Sequence, residues 1–272
     1  MGATNRKPIT RRRSRSRRAK VVPLVVPRTR ARGRPSAMTV PTKWVKFLIA
    51  IFLLPICAVL SQTFFTAFAR ATVAQGLWTG EEFWFFSLGA VLWLIAFFGL
   101  PRPVILYVFG HELTHALWVW LMGGRVTRFR VGRQGGHIIT DRTNFWIALA
   151  PYFFPLYSIL AIALYGAVSL FVNVRPYGQL LYAIIGVTWA FQFTFTCWMI
   201  LKNQSDLSDH GTFFSLVVIY LMNLVLLTVM LILASPQITL VGFGRDLLIN
   251  LGGFAEWVGA VTNQFRQGIQ GD

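Results

Sequence analysis

The sequence predicts an all-α polytopic membrane protein with about six transmembrane helices and a small β-hairpin after the third of them. Of its 272 residues, 55% are hydrophobic and only 13% are charged, whereas a soluble domain carries about 25% charged residues. Apolar residues are gathered into runs of about 20, the length that a helix needs to cross a bilayer. These features exclude a disordered chain, a secreted disulfide scaffold and an ordinary cytosolic protein. Cys57 and Cys197 lie inside apolar runs and predict neither a disulfide framework nor a Cys-based zinc site.

The basic charge of the chain is concentrated in its first segment. Residues 1–43 contain 14 of the 26 Lys and Arg and none of the 9 acidic residues, so 12 basic and 9 acidic residues remain for 44–272. A segment rich in Arg and Pro with little to bury predicts a disordered tail. We interpret it as a solvated topogenic tail without a specific nucleic-acid partner. Met38, just before the first apolar run, is an alternative candidate for the start of the protein.

Six apolar stretches predict the transmembrane domain, which covers residues 44–234. The predicted spans are 44–66, 83–100, 104–122, 145–172, 178–201 and 212–234. In the remaining segment, 235–272, apolar and polar residues alternate at helical spacing from Phe243 to Gln267. This pattern predicts an interfacial or cytoplasmic helix. We therefore expect an integral multi-pass membrane protein, located in the cell membrane if the source is bacterial.

The distribution of charge over the loops is inconsistent with six simple crossings. Such a model places the tail on one side of the membrane with Arg102, Arg175, Arg245 and Arg266. The charge count makes that side cytoplasmic. The same model places a second group on the opposite side, namely Arg125, Arg128, Arg130, Arg133 and Arg142. Either the orientation is reversed or the segment that carries these five arginines is not a plain loop.

Residues 123–143 have the pattern of a hairpin. Gly123-Gly124 is a helix stop, and the sequence RVTRFRV from Arg125 to Val131 alternates arginine with β-branched and aromatic residues. A turn-like segment, 132–136, then leads into a second short apolar stretch, 137–140. We predict a β-hairpin. At membrane depth such backbone must be buried in protein or line a wet cavity.

The third apolar stretch contains the sequence His111-Glu112-Leu113-Thr114-His115. The i, i+4 spacing places both imidazoles on one helical face, about 6 Å apart, where they can bind one Zn²⁺. Glu112 is adjacent to the first ligand and can act as general base on a metal-bound water. A chance match is expected about once in a thousand chains of this composition. Ionisable residues inside a span are costly and mark function by default.

A tetrahedral catalytic zinc site needs a third protein ligand. The polar cluster between the fifth and sixth spans offers Asp206 and Asp209, although an Asp before an apolar run is also a normal N-cap. Asp206 is preferred because Asn203, one turn upstream, could orient it. Weaker candidates for the third ligand are His137, Asp141, Asp246 and Glu256. Asn144 is a candidate donor to a tetrahedral oxyanion, and a cap of the fourth span is the alternative reading of that residue.

Four segments resemble the site-2 protease family of intramembrane zinc metalloproteases. They are Gly110-His-Glu-Leu-Thr-His115-Ala, Gly123-Gly124-Arg-Val with alternation to Val131-Gly132, Ala148-Leu-Ala-Pro151, and the Asp-containing segment two spans after the motif. The resemblance covers about residues 104–212, under half of the chain. It departs from the family pattern at the Asp, where the family has a preceding Pro and an immediately following Gly. Here Asp206 is followed by Leu207, and Asp209 is separated from Gly211 by one residue.

The resemblance implies a function and a site. The chain would be a zinc-dependent intramembrane endopeptidase that hydrolyses a peptide bond of a membrane-protein or peptide substrate within the lipid bilayer. His111, His115 and Asp206 would bind Zn²⁺, and Glu112 would activate water. The hairpin would dip into the membrane and receive the substrate as an added strand. In the family the metal-binding helix runs toward the cytoplasm, whereas the charge count above makes the third span run outward. The alternative is a catalytically silent membrane scaffold or metal-handling protein that retains the HExxH helix.

Overall fold

Helices form most of the chain in the computed structural model, which describes residues 42–74, 76–202, 205–235 and 237–270. The helices are α1 (Thr42–Ala69), α2 (Glu81–Gly99), α3 (Val104–Leu121), α4 (Phe145–Leu149), α5 (Leu156–Ser169), α6 (Gly178–Ile200), α7 (Ser205–His210), α8 (Thr212–Ala234) and α9 (Leu240–Gln270). Strands β1 (Val126–Gly132) and β2 (Gly135–Thr140) lie between α3 and α4. Of the tail predicted over residues 1–43, all but the last two positions lie outside the described residues.

Five of the predicted spans coincide with α1, α2, α3, α6 and α8. Each of these helices is long and apolar enough to cross a membrane. The helical fold class is therefore confirmed. The helix predicted from Phe243 to Gln267 is also confirmed as part of α9.

The fourth predicted span is not one continuous helix, and in this respect the prediction was wrong. It breaks into α4, a 3₁₀ turn at Ala150–Tyr152, and α5, and the two halves are bent by 76°. Pro151 lies in the 3₁₀ turn and Pro155 immediately precedes α5. Because proline lacks a backbone N–H and its ring clashes with the preceding turn, two prolines so close together interrupt the helix. The bend turns the backbone of 145–152 toward α3.

Helices α2 and α6 run in the same direction. Near their starts, Gln179 donates a hydrogen bond of 2.6 Å to Glu81, and further along Trp93 donates one of 2.9 Å to Thr194. In six alternating spans these two helices would be antiparallel. Their parallel arrangement means that α3, the hairpin and the bent pair together take the chain from one end of the bundle to the other only once.

The close packing of α2 against α6 depends on two glycines. A Cβ atom at Gly89 would lie 2.0 Å from the carbonyl oxygen of Ala183, and one at Gly186 would lie 2.0 Å from that of Phe86. No side chain fits at those distances. Small residues allow membrane helices to approach in this way, and here they make the close contact of α2 with α6 possible.

Two contacts define the ends of the bundle. At one end, Nζ of Lys46 near the start of α1 lies 2.6 Å from Nδ1 of His210, which precedes α8. At the other end, Arg70 after α1 pairs with Asp246 in α9 at 3.1 Å. We call the first the Lys46 end, which also holds the end of α6 and all of α7. We call the second the Arg175 end, which holds the starts of α2 and α6.

This arrangement corrects the side expected for several arginines. Arg102 lies at the Lys46 end, where its guanidinium is 5.2 Å from the ring of Trp198. Arg175 and Arg245 lie at the opposite end, because Arg175 opens α6 and Arg245 adjoins the residue that pairs with Arg70. The prediction that Arg175 and Arg245 lie on the same side as Arg102 was wrong, whereas Arg102 does share its end with the start of α1.

The predicted β-hairpin is present. β1 and β2 are antiparallel, with Phe129 opposite Ile138 and Arg130 opposite His137. The ring of Phe129 lies 6.0 Å from that of Phe109, so this face packs on α3. Since side chains alternate along a strand, Arg130 and His137 project from the other face and are exposed.

Candidate metal centre

Helix α3 carries the two histidines on its buried face. It starts directly after Pro103 and ends before Gly123, whose φ of 71° suits glycine better than other residues. Half of the residues in its most apolar stretch are buried, the largest share among the candidate spans. His111 is 9% exposed and His115 is 8% exposed. The motif therefore faces the protein interior.

Three donor atoms converge at this face of α3. Nε2 of His111 and Nε2 of His115 lie 3.2 Å apart. Oδ2 of Asp206, delivered by α7, lies 3.4 Å from the first nitrogen and 3.6 Å from the second. Among the described residues, these three form the group of His, Cys, Asp and Glu side chains that could hold a metal ion.

The size of this triangle fits a tetrahedral ion. Zinc bonds of about 2.0–2.1 Å in a tetrahedron separate neighbouring ligand atoms by about 3.3–3.4 Å. The three observed separations, 3.2, 3.4 and 3.6 Å, lie around that length. Two imidazoles and one carboxylate are also a donor set that catalytic zinc sites use, with the fourth position left for water. The residues present therefore fit a zinc ion.

The other ring nitrogen of each histidine has its own partner. Nδ1 of His115 donates to the carbonyl oxygen of Ile147 at 2.7 Å, and this leaves Nε2 free to bind a metal. Nδ1 of His111 lies 3.2 Å from the hydroxyl of Tyr107. Such partners fix the tautomer and ring orientation of metal-binding histidines. The bend between α4 and α5 is what brings the carbonyl of Ile147 to His115.

Asp206 is held by contacts on two sides. The hydroxyl of Tyr152 donates to its Oδ2 at 3.2 Å. Burial is the largest single influence and raises the pKa of the Asp206 carboxyl, but the hydrogen-bond and charge interactions with His111 and His115 together outweigh it and hold that pKa well below its usual range. The carboxylate is therefore ionised at neutral pH, as a metal ligand must be.

Glu112 lies beside the triangle, on the wall of a cavity of about 880 Å³. Its side chain is 7% exposed and packs against β2. A Cβ atom at Gly136 would lie only 2.6 Å from Cγ of Glu112. The hairpin and α3 thus confine the Glu112 side chain from opposite sides.

The cavity reaches the Lys46 end of the bundle. The hairpin turn lines it, together with Lys202, Asp209 and His210. The five hairpin arginines are therefore at the Lys46 end with the start of α1. The model of six simple crossings placed these arginines opposite the start of α1, and the structure supports the alternative that their segment is not a plain loop.

The other candidate ligands are placed apart from the triangle. Asp209 lines the cavity but is exposed and does not belong to the metal-binding group. Asp141 accepts a hydrogen bond of 2.7 Å from the backbone N–H of Arg125, and Asp246 pairs with Arg70. His137 and Glu256 are exposed. Asn203, invoked above to orient Asp206, lies outside the described residues.

Asn144 is a helix cap. Its Oδ1 accepts a hydrogen bond of 2.9 Å from the N–H of Ile147, and its Nδ2 donates to the sulfur of Met122 at 2.9 Å. Both polar atoms of the side chain are engaged away from the triangle. The cap interpretation of this residue is therefore correct.

Sequence reasoning missed the partners of the ligands. Tyr107 and Tyr152 lie in apolar stretches where nothing distinguishes them from other aromatic residues. For Tyr107 the spacing of four residues from His111 was an available signal. For Tyr152 no local sequence pattern indicated a contact with Asp206.

No protein-family model, curated protein or solved structure matches this chain.

Proposed function

We propose that this chain is a zinc-dependent intramembrane endopeptidase. The observation that carries the proposal is the triangle of His111, His115 and Asp206, whose donor atoms are separated by the distances that tetrahedral zinc requires. The adjacent glutamate and the resemblance of the motif to site-2 proteases support the same function.

The roles of the residues follow from their positions. Bound zinc would supply the positive charge that acidifies a water molecule and polarises the scissile carbonyl. Glu112, held against β2, accepts the proton of that water and passes it to the leaving amine. Ile147 and Tyr107 keep the imidazoles of the two histidines oriented. Tyr152 does the same for the carboxylate of Asp206.

The hairpin provides a place for the substrate. β2 lines the cavity that contains the metal-binding triangle and has one free edge, while its other edge pairs with β1. An extended peptide can add to such an edge through backbone hydrogen bonds. The substrate class is therefore a membrane protein whose helix unwinds, or a peptide already extended, with the bilayer as the surrounding medium.

The cavity opens toward the cytoplasm in this proposal. Basic residues at the Lys46 end are Lys43, Lys46, Arg102, the five hairpin arginines and Lys202, whereas Arg70, Arg175 and Arg245 lie at the other end. Cytoplasmic loops carry the excess of Lys and Arg. A Ser208→Cys variant that lacks Cys57 and Cys197 should resist an impermeant thiol reagent in intact cells and react in inverted vesicles. Labelling in intact cells would reverse the orientation.

The experiment that tests the function compares zinc content with peptide cleavage in the purified protein. We expect about one zinc per chain in the parent and in Glu112→Gln, since that change spares the ligands. Cleavage should fall about 10²–10⁴-fold in Glu112→Gln, the usual contribution of a general base. Glu256→Gln, a change at an exposed glutamate in α9, is the matched control.

Two outcomes would contradict the proposal. A folded parent without zinc after zinc is supplied would remove the metal centre. Zinc binding without cleavage of any membrane-protein substrate would favour the alternative, a scaffold or a metal-handling protein.

A further inference from the structure

Two exposed cations line the cavity that contains the metal-binding triangle. Arg133 lies in the hairpin turn, and Lys202 follows α6. Nζ of Lys202 is 3.6 Å from the ring centroid of Trp198. Within the described part of the chain, no carboxylate forms an ion pair with either cation. Asp209 is the exposed acidic residue of the same lining.

The positive charge continues along the outer face of the hairpin. Arg128 and Arg130 alternate on β1 and are exposed, with Ile139 and His137 opposite them on β2. Neither arginine has an acidic partner among the residues with described positions. The acidic residue of the hairpin, Asp141, is engaged by the backbone N–H of Arg125. The hairpin is thus a cationic strand pair that leads into the cavity.

A peptide strand along β2 would pass both groups of cations. Its side chains on the outer face would lie next to the row that contains Arg130, on the same face of the enlarged sheet. Its end nearest the hairpin turn would pass between Arg133 and Lys202. Unpaired cations at both places favour a peptide that carries carboxylates there.

We propose that this cationic surface selects substrates with acidic residues flanking the bond to be cleaved. Arg133 and Lys202 would contact an acidic side chain beside the scissile bond, and Arg128 and Arg130 would contact acidic residues further along the strand. This inference rests on the proposed function, because it names the substrate class of the same cavity.

A lipid phosphate is the competing ligand for exposed arginines at a membrane. One observation favours the peptide. Arg133 and Lys202 line the same cavity as His111 and Asp206. A headgroup attracted to the outer face of the hairpin would not reach these two cations, whereas a chain that enters the cavity engages both.

Peptide binding to the zinc-loaded Glu112→Gln protein tests this proposal. The protein is placed in nanodiscs of phosphatidylcholine. The Kd is measured for a fluorescent peptide whose Asp and Glu lie only beside the scissile bond, and for the same peptide with Asn and Gln in their place. Two exposed ion pairs together should make the acidic peptide bind about fivefold tighter. The preference should shrink at high salt. It should disappear in the Arg133→Gln, Lys202→Gln double variant and persist in Arg175→Gln, an exposed arginine at the opposite end.

Equal Kd values for the two peptides would overturn the proposal. So would a preference that survives the double variant. The surface binds lipid if two results are found together. The two peptides have equal Kd values, and phosphatidylserine raises the melting temperature of the parent but not that of the Arg128→Gln, Arg130→Gln double variant. Because binding is measured in Glu112→Gln, whose cleavage is impaired, a missing preference for acidic peptides is distinguished from a missing proteolytic activity. An acidic preference in a parent without proteolytic activity would refute only the proposed function.

Discussion

The hydroxyl of Tyr152 donates a hydrogen bond of 3.2 Å to Oδ2 of Asp206, the same oxygen that lies within 3.6 Å of Nε2 on both His111 and His115. Tyr152 is fully buried, in the 3₁₀ turn between α4 and α5. The break in the fourth predicted span therefore has a consequence at the metal centre. It places a phenol where a continuous helix would not.

Tyr152→Phe should weaken zinc binding without unfolding the protein. The change removes the donor that orients Asp206 and keeps the ring, and the loss of such a partner costs about 10–100-fold in metal affinity. Competition with a chromogenic chelator measures the Kd for zinc. Tyr165→Phe is the control, since that hydroxyl donates to the carbonyl of Val174, near the Arg175 end. Equal zinc affinity in parent and Tyr152→Phe would show that Asp206 needs no such partner.

Asp206→Ala should abolish stoichiometric zinc binding, and Asp209→Ala should not. Asp206 brings its Oδ2 to the two histidine nitrogens, whereas Asp209 is exposed on the cavity wall. Zinc per chain in detergent, determined by atomic spectroscopy after dialysis, is the measurement. His115→Ala serves as the zinc-free reference. Loss of zinc in Asp209→Ala with retention in Asp206→Ala would assign the third ligand to the other aspartate.

Gly136→Ala should reduce cleavage while zinc stays bound. The added methyl group would lie 2.6 Å from Cγ of Glu112 and 2.8 Å from the carbonyl oxygen of Arg130, so either the glutamate or the strand must move. A displacement of about 1 Å in a reacting group can cost about 10²-fold in rate. Parallel measurements of kcat and zinc content separate this effect from metal loss.

Gly132→Ala is the matched change in the same hairpin. Its Cβ atom would meet only the carbonyl oxygen of Gly135, at 3.4 Å, an ordinary contact. Its kcat should stay near that of the parent. Equal kcat values for both variants would mean that the packing of β2 on Glu112 has no influence on catalysis.

The stability of the metal-free protein should depend on the protonation of His210. Burial and then the charge of Lys46 lower the pKa of His210, although Asp209, Asp206 and the backbone of Asn144 act in the opposite direction. Between the lowered folded pKa and the unfolded value of about 6.5, the unfolded chain binds more protons. The contribution of His210 to stability is therefore complete above about pH 6.5 and is lost as the pH falls through the folded pKa.

His210→Gln keeps an acceptor for Lys46 but cannot gain a proton. The fall in Tm of the chelator-treated protein from about pH 7.5 to about pH 5.5 should be smaller in this variant than in the parent. His137→Gln, at an exposed position on β2, is the control. An unchanged pH dependence in His210→Gln would assign the acid sensitivity to other groups.

The sequence was sufficient for features that depend on local patterns. Apolar runs predicted five helices within a few residues, alternation predicted the hairpin, and the spacing of His111 and His115 predicted their common face. Each of these follows from periodicity over fewer than about 25 residues.

Features that depend on contacts between distant segments were not accessible from the sequence. The close packing of α6 on α2 depends on Gly89 and Gly186, which would be ordinary small residues if α2 and α6 did not meet. The end of the bundle at which Arg175 lies follows from the parallel packing of α2 and α6. The choice of Asp206 as the neighbour of the histidines depends on where α7 lies against α3, and the sequence offered two aspartates of similar merit.

The separation of the metal-binding residues along the chain has a consequence for biosynthesis. Asp206 follows His111 by 95 positions, so a ribosome that adds about 5–20 residues per second needs about 5–20 s to make the intervening chain. During that interval the nascent protein possesses both imidazoles but lacks the carboxylate. The complete set of donor atoms can assemble only after α7 has been synthesised. If the proposed function holds, the unfinished polypeptide cannot cleave neighbouring helices, its own included, while they are still being inserted.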